Sequence, residues 1–492
     1  MKFETAIGYI GGDHSHIDPA LLDRDVDTFV IDSREVKAGD VFFALSQPDY
    51  QRNGFNGDFD DATVFVEGAF KAGASFCVVR TDRFDEHADT LAAFKDRILL
   101  VDDAIAAFQR LAHGVYLEWG KPVVAVTGSA GKTTAKELTA HVLMSGGRKV
   151  LKNIKNYNNG LGHPLTVLNL AKDPSYDVAV LEMGMSTPMH EIAKLCRITP
   201  PDVAVELNVL PVHLEHLGTI ENIAAAKAEL VEGMRPGGTA VLNADDERVA
   251  SMAKLSSGPV ITYGIDSDAN VRAVNIVTSG LGNVRFDLVI GGNTANVSFP
   301  LNGRHNIMNA LAAASVGLSF GMTAVEIANA LESVAAPPQR GEILRFKDGF
   351  TVINDSYNSN PDALLSMVRT LVDASNNEER IVVVAGEMLE LGPETASIHR
   401  ETGKKIAALG VDAVVGVRGS AEHLVNGAAE GGVGETRFAV DAAAAADLVA
   451  DMIKPGDMVL VKGSRGVRTE RVIERLTERF ELEGNDAVSA GN

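Results

Sequence analysis

Cysteine is almost missing from this chain: Cys77 and Cys196 are the only two in 492 residues. Two thiols cannot build a disulfide framework or a four-thiolate zinc site. Both lie in apolar surroundings and read as inert core residues in a reducing cytosol. An excess of positive charge is missing too. Lys and Arg number 45 against 66 Asp and Glu, a net charge of −21, so nucleic-acid phosphates would be repelled at long range. Small anions are not excluded, because a local group of lysines and N–H dipoles can override a global field. No apolar run approaches the length of a bilayer span, and the N-terminus shows no basic segment followed by an apolar one. These absences lead us to expect a cytoplasmic globular protein with no nucleic-acid partner, no membrane insertion and two to four domains.

What is present is organised around Thr127-Gly128-Ser129-Ala130-Gly131-Lys132-Thr133-Thr134. The apolar run Val123–Val126 precedes it, and Ala135 to Ala140 reads as helix. A strand that turns through glycines into a helix aims several backbone N–H groups at one point. The helix dipole adds positive potential there, which suits phosphate oxygens. Lys132 is then expected to reach the outer phosphates of a nucleoside triphosphate, and the Thr133 hydroxyl to ligate its magnesium. The general phosphate-loop pattern wants a glycine where Val126 stands, so this loop is a tighter T-G-x-x-G-K-T variant.

The alternation of strands and helices divides the chain into three α/β domains. Residues 1–118 make a small N-terminal αβ domain of short strands and acidic loops. Residues 119–336 carry apolar strands at Val123–Val126, Val178–Leu181, Val203–Leu207 and Thr239–Leu242, as in a P-loop-type parallel sheet with helices on both faces. The stretch from Val271 to Phe299 suggests an antiparallel excursion. Residues 337–492 make a C-terminal Rossmann-like αβ domain without a G-x-G-x-x-G turn. Functional groups in such sheets gather beyond the carboxyl ends of the strands.

Several residues at those ends can carry chemistry. Glu182 closes one strand and can complete magnesium coordination, or can be a solvated strand-end glutamate. His213 stands near His216, yet no third ligand has matching spacing, and a polar loop histidine is the simpler reading. Lys227 lies on an alanine-rich helix with Thr219 as a plausible N-cap, where lysine is ordinarily solvated. The polar cluster Asp355 to Asn360 before Pro361 can hold a ribose or a substrate, or can be a capped turn. Lys462-Gly463-Ser464-Arg465-Gly466 is a compact basic nest suited to an anion, or an ordinary glycine turn.

Taken in order, these segments resemble the Mur ligases, the ATP-dependent amide-forming enzymes of peptidoglycan synthesis. Further markers are Asp32-Ser33-Arg34, Asn156-Tyr157-Asn158-Asn159, Ala226-Lys227-Ala228-Glu229, Gly303 to Asn309 and Gly386 to Gly392. The resemblance spans nearly the whole chain. It implies an N-terminal UDP-sugar domain, a central ATPase domain and a C-terminal domain that closes over them. Gly128 to Thr134, Asn306, Asn309, Arg340 and Asp355 would bind ATP. Thr133, Glu182, His213 and Lys227 would hold two magnesium ions, with Lys227 carbamylated so that an amine becomes an oxygen ligand. Lys132, Glu182, His213 and Lys227 would be catalytic. Asp32, Ser33, Arg34, Asn158, Asn159, Tyr357, Asn358, Lys462, Ser464 and Arg465 would meet substrate.

The tripeptide-specific branch is favoured by the loop, by Ser356 to Pro361 and by Glu387 to Gly392. It implies UDP-N-acetylmuramoyl-peptide and D-alanyl-D-alanine as substrates of a monomer. The Asp-Asn-Pro-Arg element of diaminopimelate-adding relatives is absent. One departure stands out: Ser46 to Ala62 is longer than that branch usually shows, and Asp61-Ala62-Thr63 replaces its Asp-Gly-His. Two alternatives follow, a Mur-like ligase acting on a folate or polyglutamate carboxylate and a catalytically silent nucleotide-sugar-binding scaffold.

Overall fold

The computed structural model describes residues 1–483 except 27, 56–60, 155–156, 186–188, 212–216, 283, 336–337 and 376–378. Three sheets organise the described chain. The first is wholly parallel, in the order β1 (Phe29–Val30), β2 (Val41–Phe43), β3 (Phe76–Arg80), β4 (Ile98–Val101). Helix α1 (Ala104–Trp119) follows it, capped by the Asp103 side chain and ended by Gly120 in the left-handed region. Phe108, Leu111 and Val115 recur on one face of α1 and are buried. They join the core of this sheet to that of the next, so one apolar cluster runs from Phe43 and Phe76 through α1 to Ala125 and Leu181.

The second sheet has nine strands. Its parallel part comprises β5 (Val123–Thr127), β6 (Val150–Lys152), β7 (Val178–Glu182), β8 (Val203–Glu206), β9 (Thr239–Asn243) and β10 (Val260–Gly264). Strand β11 (Val271–Thr278) pairs parallel with β10, then antiparallel with β12 (Val284–Ile290), which pairs with β13 (Asn293–Phe299). The expected antiparallel excursion is therefore an extension of this sheet rather than a separate unit. Spatially, β5 lies between β8 and β7. Helix α2 (Lys132–Ser145) and helix α4 (Arg304–Ser319) pack their apolar residues against Val124, Val126, Val180 and Val205 on one face. Helix α3 (Ile220–Glu232), N-capped by Thr219 as its sequence suggests, lies on the other side.

The third sheet runs β14 (Glu342–Arg345), β15 (Thr351–Asp355), β19 (Met458–Lys462), β16 (Ile381–Gly386), β17 (Ala413–Val417), β18 (Glu435–Ala439), with only the β14 edge antiparallel. Alternate residues of its central strands enter two separate cores, Val382 and Val384 on one face, Val383 and Ala385 on the other. Five strands escape the sequence reading: β4, β6, β10, β14 and β18. For the edge strand Glu435-Thr436-Arg437-Phe438-Ala439 the reason is that its polar residues give no apolar run to detect, whereas β4 is a buried apolar run too short to stand out. No described helix is long and apolar enough to cross a membrane.

Candidate active site

The parallel strands end together, and β5 brings Thr127 to the middle of that edge. Gly128 cannot be replaced without cost, because a Cβ there would meet the Leu207 side chain at 2.7 Å. Gly131 has φ +83° and would drive a Cβ to 2.6 Å from Asn309 Oδ1, so the turn into α2 requires glycine for conformation and for space. Asn208, just beyond β8, holds the loop: its Oδ1 accepts from Ala130 N at 2.9 Å and its Nδ2 donates to Ala130 O at 3.1 Å. Ser129 Oγ donates to Leu210 O and accepts from Leu210 N. The amides of Lys132, Thr133 and Thr134 in the first turn of α2 have no intrahelical acceptor and remain for a ligand, whereas Ala135 N already donates to Gly131 O.

Lys132 does not extend from this loop. Its ammonium donates to Gly128 O at 2.8 Å and to Ser129 O at 3.4 Å. Desolvation there holds it below the ordinary lysine range, with the Glu182 carboxylate opposing that shift. Thr133 Oγ1 donates to Glu182 Oε2 at 2.7 Å, and Asn158 Nδ2 donates to Glu182 Oε1 at the same distance. Asn159, by contrast, turns its Oδ1 to the amides of Leu161 and Gly162 and caps a turn.

Asn153, which no sequence pattern singles out, fixes Glu182 from behind. Its Oδ1 accepts from Glu182 N at 3.0 Å, and its Nδ2 donates to Glu182 O at 3.0 Å and to Tyr157 O at 2.9 Å. The buried Lys136 ammonium donates to Asn153 O at 2.6 Å.

Lys227, expected to be solvated on its helix, is 2% exposed. Desolvation first, and the Lys132 charge second, lower its pKa to about 7. Burial pushes the Glu206 carboxyl well above the usual carboxylate range, with Lys227 drawing it back. Both Glu206 oxygens and Thr127 Oγ1 are buried without a hydrogen-bond partner among the described residues. His213 lies outside the described residues.

The C-terminal domain reaches the same edge. Arg340 donates to Thr133 Oγ1 at 3.0 Å, and its guanidinium lies 4.0 Å over the Tyr357 ring. Arg465 approaches that ring at 5.5 Å. Asp355 and Lys462, expected separately as ribose and anion contacts, are bonded to each other at 2.5 Å, and Lys462 also donates to Asn358 O. Lys462 is thus no free cation. Ser464 Oγ accepts from Leu389 N. On α4, Asn309 packs against Gly131, while Asn306 donates to Asn302 O at 2.8 Å.

Asp32, Ser33 and Arg34 belong to the first domain. Arg34 forks onto Asp32, and that hydrogen bonding lowers the carboxyl to about 2. A cleft of about 330 Å³ lies between the first two sheets, lined by Thr28, Phe29, Glu35, Tyr157 and Leu168. The unusual segment after β2 is anchored by Asp49, fully buried, which accepts from Arg80 at 2.5 Å and from Ala104 N at 2.9 Å. Asp61 caps Thr63 N and sits 3.4 Å from Arg83.

Among the described residues no three His, Cys, Asp or Glu side chains converge as a metal cage. The donors at hand are oxygens, Thr133 Oγ1, Glu182 and the unpartnered Glu206, which fit magnesium, an ion that takes one or two carboxylates and completes its shell with phosphate and water.

Two domain descriptions match the chain: "Mur ligase middle domain" over residues 126–317 and "Mur ligase, glutamate ligase domain" over 339–465. UDP-N-acetylmuramoyl-tripeptide–D-alanyl-D-alanine ligase of Escherichia coli (strain K12) is 33% identical, over 93% of this chain and 95% of that protein. A crystal structure of MurF from Acinetobacter baumannii is similar with TM-score 0.84 at 27% identity, over 97% and 98% of the two chains. MurF ligase from Thermotoga maritima in complex with ADP is similar with TM-score 0.78 at 28% identity, over 94% and 100%. A phosphate loop at the edge of a parallel sheet, met by an arginine from a third αβ domain, is the site of an ATP-dependent ligase. The chain belongs to the Mur ligase family.

Proposed function

We infer that this ligase joins D-alanyl-D-alanine to the peptide carboxylate of a UDP-N-acetylmuramoyl-tripeptide, in peptidoglycan precursor synthesis. The similarity to ligases of that name over nine-tenths of the chain supports the substrates. The observation that carries the chemistry is the Thr133–Glu182 pair at the phosphate loop, joined by Arg340. The division of labour is residues 1–118 for the UDP-sugar, 119–336 for ATP and 337–492 for closure, in a cytoplasmic monomer.

In this reading the substrate carboxylate attacks the γ-phosphorus, ADP leaves, and the acyl phosphate is then attacked by the dipeptide amine with loss of phosphate. Magnesium bound with ATP would neutralise phosphate charge and polarise the transferred group. Thr133 and Glu182 would hold one ion. Lys227 would help hold a second: with its pKa lowered to about 7 a large share of its amine is neutral near neutral pH, and that form can take up CO2 and release a proton to become an oxygen donor. Lys132 offsets the charge crowded between two anions. Arg340 and Tyr357 bring the third domain onto the loop, which keeps water from the acyl phosphate.

The test is ADP release that requires both UDP-N-acetylmuramoyl-tripeptide and D-alanyl-D-alanine and is abolished by Lys132→Ala. Turnover with other carboxylates in a substrate panel, and none with this pair, would refute the reading. The Asp49-anchored segment favours including folate and polyglutamate acceptors in that panel.

A further inference from the structure

Strand β8 contains a residue that its pattern does not call for. Val203, Ala204, Val205 and Leu207 are all buried and apolar, and Glu206 stands among them with no exposed surface. A carboxylate in such a place is costly unless something compensates it. No hydrogen bond among the described residues does: both of its oxygens lack a partner, and so does Thr127 Oγ1. Only the charges of Lys227 and Lys132, acting from further off, oppose the effect of its burial. The register pairs Thr127 directly with Glu206 on neighbouring parallel strands. Alternation then puts both side chains on the sheet face that carries Ala125 and Ala204, opposite the face of Val126 and Val205. Helix α3 packs against β5 and β8, and Lys227 on α3 is coupled in charge to Glu206. No ion pair within 4.0 Å joins Lys227 to any described residue. The two groups feel each other but are too far apart to satisfy each other directly.

We propose that Glu206 is a further cation ligand: its carboxylate, flanked by the Thr127 hydroxyl, adds oxygen donors to the divalent ion held at Lys227. This rests on the cation role given to Lys227 above. An ion between the two would compensate the buried carboxylate and match the hard-oxygen chemistry of magnesium. It would also explain why an acidic side chain stands in an apolar strand beneath the phosphate loop.

The experiment is Mn2+ binding to the full chain in bicarbonate buffer, followed by electron paramagnetic resonance of the free ion. Wild type, Glu206→Gln, Glu206→Leu and Lys227→Ala are compared, with melting temperatures taken without metal. Glu206→Leu is expected to weaken Mn2+ binding about tenfold or more, and Glu206→Gln to weaken it less. Without metal, Glu206→Leu should melt no lower than wild type, because a buried carboxyl group without a hydrogen-bond partner has been removed. Should Glu206→Leu not fold, the nearly isosteric Gln variant decides. Unchanged Mn2+ affinity in the Glu206 variants alongside a loss in Lys227→Ala overturns this proposal alone. Unchanged affinity in Lys227→Ala overturns the cation role of that lysine and this proposal with it.

Discussion

Replacing Asn153 by Ala separates the support of the Glu182 carboxylate, proposed above to hold magnesium, from the carboxylate itself. The change removes three hydrogen bonds, two to the backbone of Glu182 and one to Tyr157 O. It leaves a buried N–H and two carbonyls without partners. At roughly 1 kcal/mol for each net bond, the strand end loses about 3 kcal/mol of local stability, more if water cannot enter. The Glu182 amide donates to Asn153 Oδ1, so its hydrogen exchange reports the loss directly. Where exchange proceeds by local opening, about 3 kcal/mol accelerates it on the order of a hundredfold. The carboxylate would still receive Thr133 and Asn158 but from a looser strand end, and the KM for magnesium in ADP release should rise about tenfold. Exchange at Glu182 and the magnesium KM both unchanged in Asn153→Ala would refute the idea that this amide clamps the site.

Burial favours the neutral amine of Lys227, so its titration moves down from 10.5 to about 7. At pH 8 the neutral form would exceed the ammonium by roughly ten to one, and a 13C carbamate signal from labelled bicarbonate should grow as pH rises through about 7. A signal that appears only above pH 9 would contradict this. Arg340→Ala removes the bond to Thr133 and the stacking on Tyr357, and is expected to raise the KM for ATP about tenfold; Arg340→Lys keeps the charge without the flat fork and should fall between. An unchanged ATP KM in Arg340→Ala counts against its role. Asp49→Ala leaves Arg80 without its buried partner and Ala104 N without an acceptor, so the first domain should lose about 3 kcal/mol, read as a lower melting temperature. Equal melting temperatures would show that the anchor is dispensable.

The phosphate loop, most central strands and the helix starts after Thr219 and at Pro361 are legible in the sequence alone. Those features are written in adjacent residues: glycines where the backbone must turn, apolar runs where both sheet faces are covered, side-chain oxygens where helix amides lack acceptors. The sequence also announced Glu182, because a strand end next to a nucleotide loop is a predictable place. It could not say that Lys227 is buried, since an alanine-rich helix has no polar face to show which side meets solvent. It hid Glu206 inside an apolar strand and Asn153 in an edge strand's exit. Arg340 and Thr133 stand 207 residues apart, and only the order of strands and the packing of the third domain bring them together. Local pattern follows from the chemistry of neighbours along the chain, whereas a site built across crossovers depends on which strand ends the folded sheet places side by side.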